Sequence, residues 1–163
     1  MVLKAISNTG PLLHLFEINL LKVLDIFSSL SIPQEVAKEL QKNNVPLPKK
    51  IQILNLLSSS KNTVKVLTNQ HNLDLGESCA IALTLQEKTS LFLTDDLDAR
   101  SVARAYNLEV HGTLGIILRA FRQGIIDKST AIEKCKALHT TSTLFITKDL
   151  IAQILRAIGE FSQ

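Results

Sequence analysis

Asp95 and Asp96 stand side by side where the short apolar run Ser90-Leu91-Phe92-Leu93-Thr94 ends. One carboxylate suffices to cap a following helix, so the second asks for another partner. Upstream, Gly76-Glu77 opens an apolar segment, and Ser7-Asn8-Thr9 closes the first apolar stretch of the chain. On its helical wheel Glu39 lies closer to the apolar face than Glu35 or Lys38, which makes it the acid of that segment that turns toward a cleft. Carboxylates gathered within about 4 Å repel by roughly 4 kcal/mol per pair at an effective dielectric of about 20. Such a cluster must hold protons or a cation. Oxygen donors without a His or Cys partner favour Mg²⁺ or Mn²⁺ over zinc, and those ions work with phosphate substrates. The corresponding chemistry is metal-assisted phosphodiester hydrolysis, in which the ion activates a bound water and neutralises the leaving oxygen.

Each of these residues also has a simpler reading. Asp95 or Asp96 can cap the next helix, with Asp98 favoured by the dipole of its first turn, and Glu77 can serve the dipole of its own helix. Asn8-Thr9-Gly10-Pro11 is sufficient as turn and capping chemistry. His14, His71, His111 and His139 share no spacing and read as surface or core residues rather than ligands. Arg100, Arg104, Arg119 and Arg122 form a solvated face or, in the functional reading, a path for a phosphate backbone.

Whether the acids meet depends on the elements that carry them. Val2 to Ile6 reads as a strand entering a turn, followed by a helix that Thr9 caps and Pro11 opens. A second short helix is expected over Leu20 to Phe27, a strand over Leu30 to Ile32, and a helix from Pro33 to about Lys42. Ile51 to Leu57 reads as a helix closed by a Ser58-Ser59-Ser60 turn, and Val64 to Leu67 as a strand. Leu75 to about Glu87 is apolar around the whole wheel and reads as a buried helix. The run at 90–94 fits a central parallel strand. Helices at about 97–106, 113–123, 129–138 and 147–158, with a small strand at 108–110, complete a three-layer α/β/α sandwich around a parallel sheet with right-handed crossovers. In such sheets ligands bind beyond the carboxyl ends of the strands, where Asn8, Asp95 and Asp96 fall.

Composition sets the class. The chain has 163 residues, 45% hydrophobic and 20% charged, the balance of one globular domain able to bury its own core. Cys79 and Cys135 show neither metal-ligand nor disulfide-framework spacing, which points to a reducing cytoplasm. No apolar run approaches the roughly 20 residues that span a bilayer, so a membrane partner is not expected. The net charge is only +3, yet six of the acids fall between Asp74 and Asp98. The early apolar stretches Leu12 to Phe16, Leu20 to Phe27 and Ile51 to Leu57 exceed what such a sandwich needs, and a homodimer is expected from them.

Taken jointly, Ile6-Ser7-Asn8-Thr9-Gly10-Pro11-Leu12-Leu13, Ile32-Pro33 through Glu39-Leu40, Leu73-Asp74-Leu75-Gly76-Glu77 through Leu83, Leu93-Thr94-Asp95-Asp96 with Arg100 and Ala103, and Gly112-Thr113-Leu114-Gly115 resemble the PIN-domain family of metal-dependent ribonucleases. The likeness runs over essentially the whole chain to Gly159-Glu160. It is nearest to a prokaryotic subfamily of nucleic-acid-binding proteins that contain a PIN domain. The resemblance implies a Mg²⁺ or Mn²⁺ site and cleavage of single-stranded RNA. Many members of the family are toxins of toxin–antitoxin pairs and dimerise, which implies an antitoxin as a further partner. Carried over, Glu39, Glu77, Asp95 and Asp96 would be catalytic. Asn8 would join Glu77, Asp95 and Asp96 on the metal, Thr9 and Thr94 would support them, and the four arginines would contact RNA. Asn8 departs from the family, since most active members have an aspartate there, and Gly10 replaces a frequent serine. An amide oxygen can still coordinate a hard cation, but it brings no charge.

Two other functions compete. A module that keeps the fold to bind RNA or a protein partner would explain Asn8. A receiver-like phosphoacceptor domain also has an acidic pocket on a parallel sheet, but its acidic pair follows the first strand, whereas here the pair comes late.

Overall fold

The computed structural model describes residues 2–161. Its framework is a five-stranded, all-parallel sheet built from β1 (Lys4–Ser7), β2 (Ser29–Pro33), β3 (Ile51–Leu54), β4 (Leu91–Leu93) and β5 (Glu109–His111), in the order β3-β2-β1-β4-β5. Ala5, Ile6 and Ser7 of β1 and all three residues of β4 are buried, so both faces of the central strands are covered, as a parallel sheet requires. The chain moves from β1 out to β3 on one side and returns to build β4 and β5 on the other. Its direction therefore reverses beside β1, and the crevice beyond the ends of β1 and β4 is the place where such a sheet binds ligands. A receiver-like domain has the order 2-1-3-4-5, so this sheet rules that reading out.

Helices α1 (Thr9–Glu17) and α2 (Gln34–Lys42) leave the ends of β1 and β2, with a 3₁₀ helix at Leu21–Ile26 between α1 and β2. Helix α4 (Leu75–Gln86) lies against β1, β2 and β4 and is itself covered by α3 (Ser58–Gln70). Gly76 and every residue from Ser78 to Thr84 are consequently buried, which explains a helix with no polar face. Helix α5 (Leu97–Ala105) follows β4, α6 (Thr113–Arg122) follows β5, and α7 (Lys128–Thr140) and α8 (Lys148–Glu160) close the chain. One core cluster runs from Ala5 to Ile158. The helix ends share a device. Asn19, Asn44, Asn107 and Gly124 adopt left-handed backbone after α1, α2, α5 and α6, and the residues after them, Leu20, Val45, Leu108 and Ile125, donate to the carbonyl five positions back. Asparagine tolerates that conformation better than most side chains, which lets it stand where glycine is usual.

Two expectations are corrected. Ile51 to Leu57 is not a helix: Ile51–Leu54 is the edge strand β3, pairing with Leu30 to Pro33, and Leu57 precedes α3. Val64 to Leu67 is not a strand but the middle of α3, and Ser58-Ser59-Ser60 is that helix's first turn rather than a stop. The helical signal ran through a serine: Ser60, Val64 and Leu67, spaced four and three apart, are the buried face of α3. Short apolar runs do not separate strand from helix by periodicity alone. Thr9 is likewise the first helical residue of α1, and Asn8 occupies the cap position. Of the early apolar stretches, Leu12, Leu15, Leu20, Val23, Leu24 and Phe27 are buried within this one chain, whereas Phe16, Ile53 and Leu57 stay exposed.

The helical assignment of α3 makes neighbouring apolar residues unequal. Leu67→Ala is expected to cost about 2–5 kcal/mol, whereas Val66→Ala, on the outer face at 37% exposure, should stay within about 0.5 kcal/mol. Urea denaturation of the two variants reads the difference; equal costs would contradict the helix.

Candidate active site

The strand ends bring the candidate residues together through backbone pairing. The Asn8 N–H donates to the Leu93 carbonyl at 2.8 Å and the Thr94 N–H to the His111 carbonyl at 3.0 Å, so the ends of β1, β4 and β5 stay in register past the strands themselves. A cleft of about 320 Å³ opens there, lined by Asn8, Thr9, Glu39, Glu77, Thr94, Asp95 and Asp96. Gly10, His14, Asp74 and the segment Thr143 to Phe145 complete its wall.

Asn8 is buried, and although it holds the cap position of α1 its side chain caps nothing. Its Nδ2 donates instead to Thr94 Oγ1 at 3.3 Å, which leaves Oδ1 as the coordinating atom. Thr94 Oγ1 also accepts from the Asp96 N–H at 3.2 Å. One buried hydroxyl thus ties the residue after β1 to the acid after β4.

Glu39 reaches the cleft from α2, and Oε2 accepts a short hydrogen bond from Thr9 Oγ1. Its carboxylate lies over Gly76, where a Cβ would come within 2.9 Å of the Glu39 Cδ, so a side chain at position 76 would displace the carboxylate from this place. Burial raises the Glu39 pKa, opposed by the Thr9 bond and reinforced by Asp74 and Glu35. Glu77 satisfies both of its sequence readings. It closes a capping box with Asp74, Oε2 accepting from the Asp74 N–H at 3.0 Å and Asp74 Oδ1 from the Glu77 N–H at 2.8 Å, and it still lines the cleft. Burial, with the charges of Asp74, Asp96 and Glu39 added, pushes its pKa up to about 7 against the Asp74 backbone bond.

The two adjacent aspartates have separate tasks. Asp96 caps α5 through Oδ1, which accepts from the Ala99 N–H at 2.8 Å, and its other oxygen has no partner among the described residues. Asp95 is turned inward. Its Oδ1 accepts from the Thr113 N–H at 2.7 Å, and its Oδ2 accepts from Thr113 Oγ1 at 2.6 Å and from His14 Nδ1 at 2.7 Å. Burial by itself would raise the Asp95 pKa, but the bonds from His14 and Thr113 outweigh it and hold the group below the ordinary carboxylate range. Because Asp95 is ionised and can only accept, the His14 Nδ1 carries the proton of that bond.

The four arginines do not line the cleft. Arg100 turns inward, its Nε donating to the Thr94 carbonyl at 3.3 Å and its guanidinium filling the space where a Gly112 side chain would stand. Arg122 stacks at 5.9 Å on Phe161, and Arg104 is exposed on α5. Sequence reasoning missed Asp74, His14 and Thr113. The Asp74-x-x-Glu77 spacing is a readable capping box, and Thr113 lies in the Gly112-Thr113-Leu114-Gly115 segment. His14 is signalled only as the one polar residue among Leu12, Leu13, Leu15 and Phe16.

Glu39, Glu77 and Asp96 each have one oxygen engaged in the protein and one without a partner among the described residues. Among the described residues no three His, Cys, Asp or Glu groups stand close enough to hold a metal ion as they lie. The donors are nonetheless all hard oxygens on one wall system, which suits an ion that keeps several waters and takes only one or two carboxylates directly.

Asp95→Asn is expected to lower stability by about 1–3 kcal/mol, since the amide sets an N–H against donors that now have an acceptor. Asp96→Asn should leave stability within about 0.5 kcal/mol, asparagine being an equal cap. Denaturation curves at neutral pH separate the two. For Glu77 the folded pKa lies above the unfolded one, so its contribution to stability is fully present below 4.5 and is lost as pH rises through about 7. Over that window the melting temperature of the wild type should fall relative to Glu77→Gln; parallel curves would contradict the raised pKa.

No helix among the described residues is long and apolar enough to cross a membrane. No curated protein and no solved structure matches this chain. A family model described as PIN domain matches residues 4–160, and the five-stranded all-parallel sheet with its helices is consistent with a PIN-like α/β sandwich. The chain belongs to the PIN-domain family, whose function is generally of nuclease type and generally dependent on divalent metal.

Proposed function

We propose that the protein is a metal-dependent endoribonuclease that hydrolyses phosphodiester bonds of single-stranded RNA, using Mg²⁺ or Mn²⁺. The observation that carries the reading is the cleft itself. Glu39, Glu77 and Asp96 each keep one oxygen without a partner among the described residues, and Asn8 Oδ1 is left as a fourth donor by the Nδ2 bond to Thr94. These residues would hold the ion. Bound there, a divalent cation supplies an activated water and neutralises charge on the phosphate. Burial is the main cause of the raised pKa of Glu39 and of Glu77, with neighbouring carboxylates adding to it, and a bound cation would favour the charged form of both. Asp95 is a positioning residue in this scheme, because its oxygens are engaged by Thr113 and His14.

Asn8 favours a second reading, a module that binds RNA or a protein partner without cutting. Thr94 can satisfy an aspartate as readily as an asparagine, because its hydroxyl donates as well as accepts. Asn8→Asp therefore adds a negative charge without removing the side-chain contact.

The test is cleavage of a labelled single-stranded RNA with Mn²⁺, with Mg²⁺ and with chelator. Wild-type protein should cut only with metal, and Asp96→Asn should lose at least about a hundredfold, the scale of a lost transition-state charge contact. Cutting that survives the chelator or the substitution overturns the nuclease reading. Asn8→Asp should tighten metal binding and raise the rate. If only the substituted protein cuts, the natural chain is the binding module.

A further inference from the structure

Phe145 is 89% exposed, the most exposed large apolar side chain among the described residues, and it belongs to the wall of the acidic cleft. Its backbone is fastened on both sides. The Thr143 N–H and Oγ1 both donate to Glu17 Oε1, at 3.1 and 2.8 Å, joining the segment to α1. On the other side Ile146 is buried, its carbonyl accepts from His139 Nδ1 at 3.0 Å, and Thr147 caps α8. The bridge between α7 and α8 thus presents an aromatic ring to water from a fixed position. From Thr140 to Thr147 it carries no charged residue, so beside a cleft of carboxylates it offers only hydroxyls and a π face.

We infer that Phe145 is a nucleobase-stacking platform, holding one base of a single-stranded RNA next to the phosphate that enters the cleft. The inference rests on the ribonuclease reading above and names the residue that gives it single-strand selectivity. Every base has a π face that an aromatic side chain can cover, whatever the sequence. In a duplex both faces are already stacked within the helix, so a platform of this kind selects single strands. One ring with the half-buried Leu144 beside it is far smaller than the roughly 800 Å² per partner that a stable protein interface takes. A base fits the area that is available.

The chain contains no tryptophan, so Phe145→Trp places a single fluorescent reporter at the platform. Its emission should be quenched by a single-stranded oligoribonucleotide and not by a backbone-matched oligomer of abasic ribose units. In cleavage assays with Mn²⁺, Phe145→Ala should raise KM about tenfold to a hundredfold, the range for one lost base–aromatic stack, with Phe145→Tyr close to wild type. The preference for single over double strands should narrow in Phe145→Ala. Equal KM for wild type and Phe145→Ala, or equal quenching by the abasic oligomer, overturns the platform while wild-type cleavage leaves the nuclease reading standing. Absence of RNA binding and cleavage by wild type removes both. A change of mass on light scattering between wild type and Phe145→Ala, without an RNA effect, assigns the ring to a second copy of the chain and overturns the platform as well.

Discussion

A carboxylate placed at the end of a central strand is costly to bury unless donors meet it, and Asp95 is met by three: the backbone and hydroxyl of Thr113 and the ring of His14. Those donors come from the start of α6 and from the buried side of α1, so one ionised group joins β4 to two helices that are distant in sequence. Gly112 has no side chain because Arg100 and Asp95 occupy its place; a Cβ there would sit 2.7 Å from Asp95 Oδ1. With Asp95 engaged inward, the chain turns and presents Asp96 to the cleft while Asp96 caps α5. The site depends on this inner bond network for its geometry rather than for its charge.

The cleft above it is under electrostatic strain. Glu39 and Glu77 are partly buried, and desolvation pushes both toward their neutral forms, with Asp74 adding to it at both and Asp96 and Glu39 adding to it at Glu77. Packing enforces the proximity, since α2 and α4 approach over Gly76, where a side chain would displace the Glu39 carboxylate. Asn8 removes one charge from this group and keeps an oxygen in place. In the proposed reading, one charge fewer in the cleft weakens its hold on a cation, and Asn8 is the position at which nuclease and binding module would part.

The rim contrasts with the floor. Phe145 and Leu144 bring neutral surface to the edge of an acidic cavity, and the arginines expected to guide a phosphate backbone lie elsewhere or turn inward. None of those four arginines lines the cleft, so its rim offers flat apolar surface rather than a basic track.

The sequence by itself determined the fold class, the family and the identity of the acidic residues. Those signals are local: a continuous apolar strand ending in Asp95-Asp96, a helix apolar on every side after Glu77, and a Ser-Asn-Thr-Gly-Pro turn after the first strand. Where local pattern was ambiguous it misled, as at Ile51 to Leu57 and Val64 to Leu67, because short apolar runs fit either period and the edge of the sheet decides between them. Only the tertiary structure decided which of the two adjacent aspartates has both its oxygens engaged by protein donors. It also paired His14 and Thr113 with Asp95 and brought Phe145 to the rim. Each of these outcomes depends on contacts between residues tens of positions apart, and no spacing along a single chain encodes which donor a buried carboxylate will meet.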